Sequence, residues 1–165
     1  MSGDAQRVMT TGLPVNGRIH HVATVVRDLD AAVRFHTDVL GLPLERIADV
    51  PSQEVRIAFL TAGDSKVELV SPTTDTSGVA RFLDAKGEGF HHLCLEVADI
   101  DAELRRLESA GIQLINAEAV EGVEGPVAFL HPKSCFGVLV ELIEVPDGPA
   151  WKRLGYGSPE QLKIR

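Results

Sequence analysis

Gly87-Glu88-Gly89-Phe90-His91-His92-Leu93-Cys94-Leu95-Glu96-Val97 (GEGFHHLCLEV) places two adjacent histidines at the mouth of an alternating apolar run. The same opening occurs earlier, in Ile19-His20-His21-Val22-Ala23-Thr24-Val25-Val26 (IHHVATVV). Alternation is the mark of a strand with two unlike faces. In the later run His91, Leu93, Leu95 and Val97 share one face, and His92, Cys94 and Glu96 share the other. The apolar face is expected to meet a helix and the mixed face to line a cavity. That reading selects His92 and, by register, His21 as the inward members of the pairs. His20 and His91 are left as supports or structural residues facing away.

The surroundings of the two pairs repeat as well. The offset that carries His20-His21 onto His91-His92 also carries Asp28-Leu29-Asp30-Ala31 onto Asp99-Ile100-Asp101-Ala102. Gly41 and Gly111 follow near the same offset. Ala58-Phe59-Leu60 recurs as Ala128-Phe129-Leu130, and Glu68-Leu69 as Glu141-Leu142. Each half therefore reads strand, helix, strand, strand, strand. Asp28 and Asp99 are expected N-caps, because a carboxylate there accepts from free backbone N–H groups. Ile100, Leu104 and Leu107 give the second helix an apolar stripe, and Gly111 suits its C-terminal end. Gly63-Asp64 between two apolar runs predicts a hairpin. The expected organisation is a single domain over 18–145, made of modules 18–72 and 88–145. A linker, 73–87, carries a short helix from Val79 to Lys86. Residues 1–17 form an N-terminal extension. Residues 146–165 form a C-terminal tail, with the only tryptophan (Trp151) and the only tyrosine (Tyr156).

Composition narrows the function classes. The 165 residues are 44% hydrophobic and 24% charged, as expected of a water-soluble globular domain. A net charge of −8 and the lack of any Lys/Arg run argue against nucleic acid as a partner. No apolar stretch approaches the roughly 20 residues of a membrane span. The first residues, MSGDAQRVMTTGLPVNG, show no signal-peptide pattern. Cys94 and Cys135 do not make a disulfide framework. The expectation is a cytoplasmic protein with reduced thiols and no membrane partner.

Each half offers one inward histidine and, on its last strand, one glutamate set in an apolar run. If the halves pack about a pseudo-twofold axis, His21, Glu68, His92 and Glu141 converge. Two imidazoles and two carboxylates are a ligand set for a divalent first-row metal, with the carboxylates balancing its charge. A lone histidine at a strand start is more often structural, and a lone glutamate more often pairs with a surface lysine. The in-register repetition of both, inside apolar runs where a carboxylate needs a partner, favours the metal.

At these residues the sequence resembles the vicinal oxygen chelate superfamily and, within it, the methylmalonyl-CoA epimerase family. The matching stretches are HHVATVVRDLDAAVRFHTDVLGLPLE, KVELVSP, VARFLDAKGEGFHHLCLEVADID and VAFLHPKSCFGVLVELIE, spanning about residues 18–145. The resemblance implies an α+β fold in which paired βαβββ modules form a cupped mixed sheet around one divalent ion per chain, often in a homodimer. It places the metal ligands on His21, Glu68, His92 and Glu141. Co²⁺, Mn²⁺, Ni²⁺, Zn²⁺ and Mg²⁺ are the candidate ions. It implies an acyl-CoA substrate, the (2R)- and (2S)-methylmalonyl thioesters, interconverted by proton abstraction at C2 through a metal-stabilised enolate.

Epimerisation needs proton carriers on both faces of C2. The resemblance makes Glu141 one of them. Where some family members have a glutamate for the other, this chain has Ile57. Glu54, at a usual glycine, is the nearby catalytic candidate. His131, Lys133 and Ser134, in the HPKS stretch, are the candidate substrate contacts. Phe136 stands at another usual glycine. Two other chemistries of the superfamily are alternatives: a glyoxalase I-like lyase or isomerase on a different thioester, and a dioxygenase, whose two-histidine, one-carboxylate triad Glu68 argues against. A metal-free small-ligand binding module is the alternative of a different class.

Overall fold

Both histidine pairs lie on the two strands at the centre of one sheet. The computed structural model describes residues 15–146. The first fourteen residues and the tail from 147 onward, with Trp151 and Tyr156, lie outside the described residues. Strand β1 (Val15–Val25) carries His20-His21, and β5 (Gly89–Val97) carries His91-His92; they run antiparallel. β1 begins at Val15, so its pair lies inside the strand rather than at its mouth.

The first half continues with α1 (Leu29–Arg34), β2 (Leu44–Val50), β3 (Val55–Ala62) and β4 (Ser65–Pro72). A further helix, α2 (Gly78–Lys86), precedes β5. The second half then repeats the order with α3 (Ile100–Ser109), β6 (Val120–Glu121), β7 (Pro126–Leu130) and β8 (Leu139–Glu144). The eight strands form one mixed sheet in the order β2-β3-β4-β1-β5-β8-β7-β6. This arrangement is symmetric about the β1–β5 seam: β4 is parallel to β1 on one side, and β8 is parallel to β5 on the other.

Local chemistry accounts for the repeat. Asp28 Oδ1 accepts from Ala31 N at 2.9 Å, and Asp99 Oδ1 from Ala102 N at 2.8 Å, so each module's helix is capped in the same way. Gly63 and Asp64 form the two-residue turn between β3 and β4, with Gly63 at φ +64. A positive φ at the first turn position is what a type II′ hairpin asks of glycine.

The period-2 alternation sorts the core onto two faces. In β3, Ala58 and Leu60 pack with Leu69 of β4 beneath Leu29 of α1. Val55, Ile57 and Phe59 point the other way, with Val70 and with Val79 and Leu83 of α2. In the second module Val97, Ala128, Leu130 and Leu142 pack against Ile100, Leu104 and Leu107 of α3. Cys94, Val127 and Ile143 line the opposite face. The outer face is thus covered by α1 and α3, and the inner face of both modules bounds a cup. Among the described residues, no helix is long and apolar enough to cross a membrane.

Candidate metal centre

Strand register sets the four donors. Glu68 of β4 lies opposite Ala23, two residues after His21, and Glu141 of β8 lies opposite Cys94, two residues after His92. Across the seam Ala23 faces His92 and His21 faces Cys94. The pseudo-twofold therefore superposes the two His/Glu sets on one point. The relative exposures are 3% for His21, 7% for Glu68, 5% for His92 and 6% for Glu141. All four lie at the floor of a cavity whose apolar walls include Val55, Ile57, Phe59, Val127 and Phe129.

The donor atoms converge. His21 Nε2 is 3.1 Å from His92 Nε2, 2.9 Å from Glu141 Oε2 and 3.3 Å from Glu68 Oε2. His92 Nε2 is 3.0 Å from Glu141 Oε2 and 3.4 Å from Glu68 Oε2. Adjacent ligands of an octahedral ion, each at about 2.1 Å, lie about 3.0 Å apart; His21, His92 and Glu141 match that spacing for a small dication, and Glu68 stands farther out. Despite those short contacts Glu141 Oε2 is buried and accepts no hydrogen bond of proper geometry. An acceptor-only oxygen left in that position is what a cation would satisfy. Phe59, opposite Glu68, and Phe129, opposite Glu141, meet the two imidazoles edge-on at 5.5 and 5.7 Å. The repeated Ala-Phe-Leu motif supplies both rings.

Electrostatics gives the same account. Burial alone would lower the pKa of His21, but the carboxylates of Glu141 and Glu68 outweigh it and raise it to about 9. His92 is raised for the same reasons. Burial would raise both glutamates, but the imidazoles hold them below the usual carboxylate range. Two buried carboxylates thus demand positive charge, which two protons or one dication can supply.

The outer histidines depart from simple alternation. β1 is irregular between Ile19 and His21, and His20 is turned into the protein with 6% exposure. Its Nδ1 lies 2.8 Å from His21 Nδ1. His91 Nδ1 lies 2.8 Å from His92 Nδ1, and His91 also lines the cavity. The expectation that one histidine of each pair faces away is corrected: both stand directly behind the inward rings. Burial, with the neighbouring His21, lowers His20 to about 3; burial, with His92, lowers His91 to about 4.

Other candidates are placed elsewhere. Glu54 caps a short turn in the left-handed region at φ 54, and its Oε1 is 3.5 Å from Thr76 Oγ1. At that turn Gln53, not Glu54, lines the cavity. Ile57 faces the cavity and adds no acid there. His131, Lys133 and Ser134 lie on the turn between β7 and β8, outside the cavity wall. His131 Nδ1 accepts from Lys133 N, and Ser134 Oγ accepts from Gln113 N. Lys133 is exposed. Cys94 is fully buried with Val127 and Ile143, and burial pushes its thiol pKa up. Sequence reasoning missed the loop Gly122–Gly125, which brings Val123 and Glu124 to the cavity. Its closely spaced glycines marked a turn, but nothing local told where the turn would dock.

Residues 20–129 match the family model of the Glyoxalase/Bleomycin resistance protein/Dioxygenase superfamily, and the chain belongs to that superfamily. Its relatives there include methylmalonyl-CoA epimerases. The mitochondrial methylmalonyl-CoA epimerase of Mus musculus is 42% identical over 128 residues, 76% of this chain and 72% of that protein. The ethylmalonyl-CoA/methylmalonyl-CoA epimerase of Cereibacter sphaeroides is 41% identical over 132 residues, 78% of this chain and 98% of that protein. Among solved structures, methylmalonyl-CoA epimerase from Mycobacterium tuberculosis superposes with a TM-score of 0.77 at 36% identity, covering 84% of this chain and 94% of that one. A variant of the Streptomyces coelicolor methylmalonyl-CoA epimerase in complex with 2-nitronate-propionyl-CoA gives 0.76 at 34% identity, covering 81% and 97%. Enzymes of this superfamily typically use a divalent metal, and His21, His92 and Glu141 form a possible ligand group here.

Proposed function

We propose that this chain is an isomerase, a divalent-metal-dependent epimerase that interconverts the C2 stereoisomers of methylmalonyl-CoA. The observation that carries the reading is the convergence of four buried donors from two modules at the floor of an apolar cup. The relatives' substrate names the acyl group. His21, Glu68, His92 and Glu141 would hold one ion per chain. That ion, when bound, supplies Lewis-acid stabilisation of the enolate's negative charge, worth several kcal/mol.

The chain's own residues do the rest. The apolar walls exclude water from C2. Glu141, with one carboxylate oxygen turned to the ion, takes the C2 proton. Glu54 is not retained as the second carrier, because its carboxylate faces Thr76. Lys133, an exposed cation on the turn before β8, is the proposed contact for a CoA phosphate, with His131 and Ser134 holding that turn. The soluble, reduced-thiol reading supports a cytoplasmic location, and exposed Phe35, Val39, Leu40 and Leu44 support a homodimer.

The test is deuterium incorporation at C2 of methylmalonyl-CoA in D₂O, first with metal-stripped protein and then with Co²⁺, Mn²⁺ or Zn²⁺ restored. Metal-dependent exchange with loss of stereochemistry is expected, and Glu141→Gln should lower it by about 10²- to 10⁴-fold. Stoichiometric metal binding without exchange would move the function to another thioester, as in the glyoxalase-like alternative. Failure to bind any metal would leave a binding module.

A further inference from the structure

Glu124 is the cavity-side acid that the proposed reaction does not use. Its loop is tightly set: Gly122 N donates to Gly125 O at 3.0 Å, and a Cβ on Gly125 would come within 2.2 Å of Glu144 O. Glu124 Oε1 is held by Lys66 Nζ at 2.5 Å, and Lys66 is itself anchored by Glu45 at 2.8 Å. The other oxygen, Oε2, is buried, accepts no hydrogen bond, and faces His20 Nε2 at 3.4 Å. His20 Nδ1 in turn faces His21 Nδ1 at 2.8 Å.

Donor and acceptor rules order this chain. A carboxylate paired with lysine only accepts, so a bare ring nitrogen facing it would be repelled; His20 must present an N–H at Nε2. A neutral imidazole carries one such hydrogen, so His20 Nδ1 is bare and must accept. His21 Nδ1 must then donate. With its hydrogen committed there, neutral His21 offers the Nε2 lone pair to the centre. We propose that Glu124 is a positioning residue: through His20 it sets the tautomer of His21 and aims Nε2 at the metal. Among the described residues, no carboxylate of the first module pairs in the same way with His91. Behind His92, His91 meets Phe82 edge-on at 5.0 Å. The two ligand histidines, equivalent by the repeat, are therefore supported unequally.

The metal part of this inference rests on the proposed ligand set; the tautomer part does not. Two-bond ¹H–¹⁵N spectra of the full-length protein, metal-free and with Zn²⁺, should show His20 as the Nε2–H tautomer. Glu124→Ala should shift His20 toward Nδ1–H and weaken Zn²⁺ and Co²⁺ binding by about 10- to 100-fold in chelator competition. Glu124→Gln, which keeps the side-chain volume, should weaken binding in the same direction. His20→Asn retains an acceptor near the Nδ1 position and should keep affinity within a few-fold, whereas His20→Leu should lose as much as Glu124→Ala. An Nδ1–H tautomer of His20 in the wild type, or unchanged tautomer and affinity in Glu124→Ala, would overturn the proposal. Wild-type protein that binds neither ion while His20 still follows Glu124 would sink the metal reading and leave the relay standing.

Discussion

Phe136 occupies a backbone position that suits glycine. Its φ is 54 and its side chain is fully exposed, so nothing packed offsets the left-handed geometry. That geometry costs a non-glycine residue roughly 1–2 kcal/mol, against about 0.5–1 kcal/mol that glycine loses in chain entropy. Phe136→Gly should therefore stabilise the protein by about 0.5–1 kcal/mol. A urea midpoint that rises with an unchanged slope is the expected result, and a lower midpoint would refute the strain. Glu54 shares the φ of 54 but also meets Thr76, so it is the less clean test. At this scale the four converging donors were readable, because each repeats in register with its counterpart. The roles of His20 and Glu124 were not. One depends on an irregularity in β1, and the other on a loop from the opposite module docking beside it.

The elements show why the repeat could be read before the fold was seen. Caps and turns are local, so Asp28 and Asp99 announce helix starts wherever the helices later pack. Each cap bonds the third residue onward, at 2.9 and 2.8 Å. Asp28→Ala and Asp99→Ala should each cost about 1 kcal/mol, and the two should add because the helices lie in different modules. Equilibrium denaturation of the single and double variants checks this; a double variant far from the sum would show that the helices are coupled. The linker helix was readable from Val79 to Lys86 and runs from Gly78, capped by Ser77 Oγ accepting from Ala80 N at 3.0 Å. β6 is only Val120–Glu121, too short for any periodic signal.

For the whole molecule, the buried centre couples protonation to stability. In the metal-free protein His21 has its pKa raised from 6.5 to about 9. That stabilisation, on the order of 3 kcal/mol, is fully present below pH 6.5 and is lost as pH rises toward 9. His20 and His91 behave oppositely. Their folded pKa values, about 3 and about 4, lie below the unfolded value, so stability falls as pH drops below 6.5. Metal-free protein should therefore be most stable near pH 6.5, with limbs on both sides. A bound dication replaces the protons on the ligand imidazoles, so loading should flatten the alkaline limb and release protons. Thermal unfolding between pH 5 and 9, with and without Zn²⁺, reads this directly; an alkaline limb that is the same in both would rule out the imidazoles as ligands.

The chain's own order of residues determined what is local and periodic: strands with two unlike faces, capped helices, a glycine hairpin, and a pattern that occurs twice. From repetition alone it also singled out the four donors, because duplicated register copies side-chain direction as well as type. What only the tertiary structure decided depends on distance through space rather than along the chain. It closed both carboxylates to within 3.4 Å of the two imidazoles, turned both outer histidines inward, and moved Glu54 and the His131–Ser134 turn off the cavity. It also brought Glu124 and Lys66, far apart in sequence, against His20. Those contacts arise from docking one module on the other across the β1–β5 seam, where long-range packing rather than local propensity sets which side chains meet.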